Sequence, residues 1–108
     1  MRRTYLGEFE ELVLLTVALL NGEAYGVTVA KELLEKTGRA VSISAVHVAL
    51  HRLQEKGLMA SGLGGASAER GGRRKRLFTA TVQGQQVLRE IRDTRNQLFD
   101  LIPKTAWS

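Results

Sequence analysis

The order of elements predicts a mainly α fold with a small β-hairpin: a winged helix-turn-helix domain followed by a C-terminal dimerisation helix. Three observations carry this. Four stretches repeat apolar residues at helical spacing. Between the third and fourth lie two short apolar runs, joined by a loop too rich in glycine to be helical. That loop also holds the whole net charge of the chain. The 108 residues suit one folding unit, read as a winged-helix part at residues 1–82 and a C-terminal helix with its tail at 83–108.

The first helix is expected over residues 8–20. Phe9, Leu12, Val13, Thr16, Leu19 and Leu20 keep the i, i+3, i+4, i+7 rhythm, and Leu14, Leu15 and Val17 add apolar surface outside that stripe. A helix apolar on most sides is covered from several directions. Asn21-Gly22 stops it. The second helix should run from about Tyr25 to Lys36, with Val27, Ala30, Leu33 and Leu34 as its apolar face and Thr37-Gly38 at its end. The third should start at Ser42 or Ser44, either of which can accept a bond from a free backbone N–H. Val46, Ala49, Leu50 and Leu53 form a narrow core stripe, and Gly57 closes the helix. Its other face shows Ser44, Ala45, His47, Val48, His51 and Arg52. An ordinary solvated face would alternate Glu and Lys.

Leu58–Leu63 and Arg76–Thr81 then read as two strands of a hairpin with a long tip. The first is weak as a strand, because Ala, Ser and Gly are poor strand formers. Thr81 is placed to cap the last helix. There Val87, Ile91, Thr94, Leu98 and Leu101 recur at alternating steps of four and three, with Leu88 and Ile102 beside them. That is a short heptad seam, which Pro103 ends.

The chain carries 16 basic and 11 acidic residues. Arg70, Arg73, Arg74, Lys75 and Arg76 put five cations into seven positions, and without them the balance is eleven against eleven. Cations gathered at a hairpin tip suit a polyanion better than a linker does, and arginine's planar fork matches phosphate oxygens or the minor groove.

Several classes are set aside. There is no cysteine, so disulfide scaffolds and thiolate metal sites are excluded. The longest apolar run, Leu12–Leu20, covers about half a membrane span. It follows Glu8, Glu10 and Glu11, the wrong flank for a secretory signal. The expectation is a cytoplasmic protein with no membrane partner and no cofactor. His47 and His51 stand four apart, but no Glu follows His47 in the manner of a zinc-protease helix, so no metal is expected. The glycine-rich stretch lacks the Gly-Lys-Ser/Thr ending of a phosphate-binding loop, and no paired carboxylates or Ser/His/Asp set stand out. An enzyme is not expected.

Six motifs in order resemble one family. Leu6-Gly7-Glu8-Phe9-Glu10 leading into Leu12-Val13-Leu14-Leu15 is similar to the opening of PadR-type transcriptional regulators. So is Ala24-Tyr25-Gly26-Val27 at the second helix. Thr37-Gly38-Arg39-Ala40-Val41-Ser42 resembles the lead into their recognition helix. Leu50–Leu58 resembles that helix's end and the first strand. Glu69–Arg76 resembles the wing, and Thr81-Val82-Gln83-Gly84 the opening of the last helix. His47 stands where these proteins usually carry tyrosine. The short last helix resembles the compact class, which has one dimerisation helix and no larger C-terminal domain. The resemblance implies a homodimer, usually a repressor, on a partly palindromic operator, released in many members by small aromatic or cationic compounds.

The expected double-stranded DNA contacts are Tyr25, Ser42, Ser44, Ala45, His47, Val48 and His51, with Arg70, Arg73, Arg74, Lys75 and Arg76 of the wing. The third helix would enter the major groove, where Ser and His can bond base edges and Ala45 or Val48 can touch a thymine methyl. The expected dimer seam is Phe9, Leu12, Val87, Leu88, Ile91, Leu98, Leu101 and Ile102. Phe9, Phe99 and Trp107 are candidates for an effector pocket. The competing readings are an RNA-binding module, because Arg70-Gly71-Gly72 occurs in the wing, and a winged helix that binds only protein.

Overall fold

The computed structural model describes residues 6–64 and 75–107. Its order is α1 (Glu8–Leu20), α2 (Gly26–Thr37), α3 (Ile43–Glu55), β1 (Met59–Leu63), β2 (Arg76–Ala80) and α4 (Val82–Leu101), then a 3-10 turn at Lys104–Ala106. The four helices and the hairpin make the winged helix-turn-helix architecture that the element order predicts.

Local chemistry sets the boundaries. Asn21 takes a left-handed conformation and returns its N–H to the Val17 carbonyl, closing α1. Gly38 does the same for α2, through the Leu34 carbonyl. The choice left open at the start of α3 goes to Ser42, whose Oγ accepts from the Ala45 N–H at 3.0 Å. Gly57, at φ +77°, makes the turn out of α3 into the hairpin.

The core sits where α1, α2 and α3 meet under the hairpin. Val13, Leu14 and Val17 of α1, Val29 and Leu33 of α2, and Val46, Ala49, Leu50 and Leu53 of α3 are all buried. The stripe expected of α3 is buried as read. The face expected of α2 is buried only in part, through Leu33 and Ala30. Val29 and Gly26 point inward with Leu33, whereas Val27 and Leu34 are exposed. Gly26, buried on the same side as Val29 and Leu33, leaves room there for the His47 ring of α3. The first helix is likewise not covered all round, because Leu15 and Leu19 are exposed.

The hairpin is antiparallel, pairing Met59 with Ala80 and Leu63 with Arg76. It is pinned to the helices twice. The Phe78 N–H donates to the Ala24 carbonyl at 2.8 Å, adding a one-residue third strand just before α2. Phe78 itself is buried in the core.

The Thr81–Gly84 opening of α4 is a close-packed joint. Thr81 Oγ1 donates to the Gly57 carbonyl at 2.8 Å and accepts from the Gly84 N–H at 3.0 Å. The Thr81 N–H donates to the Leu58 carbonyl. A Cβ at position 84 would collide with that same Leu58 carbonyl oxygen. Val87 reaches the core, with Leu88 and Ile91 packed against it, and from there on α4 is exposed to its end at Leu101.

Candidate nucleic-acid interface

The inner stripe of α3 fixes what its outer face can present. With Val46, Ala49, Leu50 and Leu53 buried, Ser42, Ser44, Ala45, His47, Val48 and His51 are all exposed. No residue of α3 before Glu55 is a carboxylate, and Glu8 and Glu10 of α1 border the face at Ala45 and Val48. The structure therefore brings all six candidates from this segment onto one surface. The His47 and His51 rings stack, 6.4 Å apart at 29°. The His47 ring also lies over Gly26, and a Cβ there would come 2.7 Å from His47 Nε2. Gly26 thus makes room for a side chain on the outer face. Sequence reasoning missed this role, although a glycine in the first turn of a helix was the available signal.

Among the described residues, no three His, Cys, Asp or Glu side chains gather as a metal site.

The base of the wing is built around Tyr25. Lys75 Nζ donates to Tyr25 Oη at 3.0 Å and sits 4.2 Å from the ring centroid. One cation is thereby held at the start of α2 by a hydrogen bond and a cation–π contact together. On the other side, Arg76 Nη1 donates to Ser61 Oγ, and Ser61 Oγ donates to Gln54 Oε1 of α3. The two cations nearest the strands are therefore tied to both helices of the helix-turn-helix. Arg70, Arg73 and Arg74 lie outside the described residues.

A concavity of roughly 490 Å³ borders the same surface, lined by Gly7, Glu8, Phe9, Glu10, Ala45, Val48, Ala49 and Arg52. Phe9 is here, with the Arg39 guanidinium 5.3 Å from its ring centroid. Phe99 and Trp107 do not line it. They stack on each other at 6.4 Å and 7°. The three aromatics expected to share an effector pocket therefore fall into two places.

The candidate seam is also divided. Phe9 and Leu12 are half-buried against their own core, as are Leu88 and Ile91, and Val87 is 8% exposed. Leu98 and Leu101 are 61% and 70% exposed, with Phe99 and Trp107 beside them, while Ile102 is half-buried. On α1 it is Leu15 and Leu19 that stand free of the core. No helix among the described residues is long and apolar enough to cross a membrane.

A family profile described as "Transcriptional regulator PadR-like family" matches residues 14–90. No curated protein matches. Among solved structures, a PadR-like transcriptional regulator from Bacillus cereus is similar at 19% identity and a TM-score of 0.73, over 93% of this chain and 92% of that one. A PadR family regulator from Eggerthella lenta is 25% identical with a TM-score of 0.69, over 94% and 88%. Bacillus subtilis PadR in complex with operator DNA is 19% identical with a TM-score of 0.64, over 77% of this chain and 45% of that one. The likeness to the two Bacillus chains is one of fold.

Proposed function

The chain belongs to the PadR-like family of transcriptional regulators, and on that premise we propose that it works as a homodimeric repressor on a partly palindromic operator. The observation that carries the DNA-binding part is the exposed outer face of α3. The residues of α3 itself include no carboxylate before Glu55, Glu8 and Glu10 of α1 border only its Ala45–Val48 edge, and Lys75 and Arg76 are held at the base of the hairpin. In a complex, α3 lies in the major groove with its N-terminal turn toward the base edges. Ser44, His47 and His51 supply hydrogen-bonding groups, and Ala45 and Val48 supply apolar contact. Tyr25 and Ser42 border the groove. The wing cations, Arg70, Arg73, Arg74, Lys75 and Arg76, grip phosphates on either side.

The similarity to a chain solved with operator DNA supports this placement by analogy of fold. Two such surfaces in one dimer require half-sites about one helical turn apart. The exposed apolar end of α4, with Leu98 and Leu101, is the surface that pairs the protomers. An aromatic or cationic effector that spreads this seam would release the operator.

The test begins by selecting genomic fragments that the protein retains, then compares that operator, random DNA and RNA by competition. Preference for the operator by a factor of about 10³ or more is the expected result. Equal retention of RNA or of random DNA would overturn it. Arg73→Ala, Arg74→Ala and Arg76→Ala together should weaken operator and random DNA alike. They should also flatten the salt slope by about 0.9 for each phosphate no longer neutralised. His47→Ala should instead alter sequence preference by about 1–3 kcal/mol at one position while the salt slope stays as it was.

A further inference from the structure

The first turn of α1 carries Glu8, Glu10 and Glu11, and carboxylates there suit the positive end of a helix. That alone would leave them pointing at solvent. Instead each reaches a different element. Glu8 Oε1 accepts from Arg39 Nη1 at 2.6 Å, in the connection between α2 and α3. Glu10 Oε1 accepts from Lys56 Nζ at 2.6 Å, with Arg52 Nη1 4.0 Å from its other oxygen, at the end of α3. Glu11 Oε1 accepts from Arg95 Nη2 of α4 at 2.9 Å. The Glu10 and Glu11 side chains are only 14% and 15% exposed, against 72% for Glu8. Water screens the two inner carboxylates less, while their partners Lys56 and Arg95 remain 38% and 59% exposed, so each pair is shielded on its acidic side only.

The place of Arg95 matters most. Ile91 is the last residue of α4 to pack against the core, and Arg95 follows one turn later. Asn96 to Leu101 are exposed, and among the described residues none of their side chains makes a hydrogen bond or ion pair to the body. The Glu11–Arg95 pair is therefore the outermost tether of α4, at the point where the helix leaves the body. The neighbouring carboxylate on the same rigid turn holds the last turn of α3.

We propose that Glu11 and Arg95 are positioning residues that set the angle of α4 to the body and so the spacing of the two recognition helices. Glu10, through Lys56 and Arg52, passes that angle to α3. The inference rests on the dimeric DNA-binding reading above and adds to it the residues that select half-site spacing. A small rotation at Arg95 is magnified at α3, because α4 is the lever through which the protomers meet.

The chain has no cysteine, so Glu55→Cys at the exposed end of α3 gives one spin-label site per protomer. Distances between the two labels of a dimer are measured by pulsed electron resonance. The Glu55→Cys protein should give a narrow distribution. Arg95→Gln or Glu11→Gln should broaden and shift it, and Arg95→Lys, which keeps a cation opposite Glu11, should leave it narrow. The neutralised variants should lose about three- to tenfold in affinity for a fragment with both half-sites. They should lose nothing on a single half-site, which a general loss of structure would also weaken. A distribution unchanged by Arg95→Gln, or one broadened as much by Arg95→Lys as by Arg95→Gln, would overturn the tether. Absence of any distance between labels in the Glu55→Cys protein would overturn the dimer, and the inference with it.

Discussion

The two halves of α4 follow one heptad pattern and meet opposite fates. In the first half Val87 is buried and Leu88 and Ile91 rest on the core. In the second half Leu98, Phe99 and Leu101 are more than half exposed. The first half is covered because the Thr81–Gly84 joint brings its backbone against Leu58, whereas the second, past the Glu11–Arg95 pair, is exposed. A seam that continues past its own core is the surface we propose for the second protomer, since apolar residues gathered in this way are seldom left in water. On that proposal, stability of the body and association of protomers lie in successive turns of one helix and should separate under mutation.

The largest effect is expected in the body. Phe78 joins β2 to the core, and its backbone N–H holds Ala24. Phe78→Ala should cost about 3–5 kcal/mol of unfolding free energy. That is a large share of what a domain this small possesses. Denaturant titration at a fixed protein concentration checks this. A reduction under 1 kcal/mol would mean that the hairpin does not share the core.

A smaller effect, confined to the other half, is expected from Leu98→Asp. A carboxylate on the seam would have to be desolvated twice in each dimer, costing about 2–4 kcal/mol of association. Sedimentation should show a monomer at concentrations where the parent protein is dimeric, with the helical circular dichroism of the body retained. A variant that still sediments as a dimer would move the interface elsewhere, with the exposed Leu15 and Leu19 of α1 the next surface to test.

Much of the fold is legible in the sequence, because the periodic stripes of α1, α3 and α4 are long and their caps carry strong signals. Ser42 and Thr81 accept the bonds that their side chains suggest. The face of α2 is misread, because propensity gives Val27 and Val29 equal claims to the core. What separates them is which side of α2 meets the rest of the core, and that depends on tertiary placement. The Ala24–Phe78 bridge is hidden for a similar reason, since a single residue has no period. The outer face of α3 is readable as what remains once the core stripe is removed. The tie from Lys75 to Tyr25 spans 50 positions and depends on tertiary placement alone. The same holds for the three carboxylates of α1, whose clustering is visible in the sequence while their partners are not.

The smallest effect sharpens the boundary within α4. Trp107, the only tryptophan, folds back through the Lys104–Ala106 turn and stacks on Phe99. A parallel aromatic pair contributes about 0.5–1.5 kcal/mol beyond the area it covers. Both rings are exposed in the protomer, at 59% and 61%, so the stack does little for the body. In the proposed dimer it would widen the apolar seam next to Leu98 and Leu101. Trp107→Ala should therefore leave the unfolding midpoint of the Leu98→Asp monomer unchanged while weakening self-association of the parent about two- to tenfold. Trp107 fluorescence gives the companion measurement, with the emission of the parent moving to the red on dilution while circular dichroism holds steady. If Trp107→Ala instead destabilised the monomer by 1 kcal/mol or more, the last turns of α4 would belong to the body, and the division between the two halves would fall beyond Leu101.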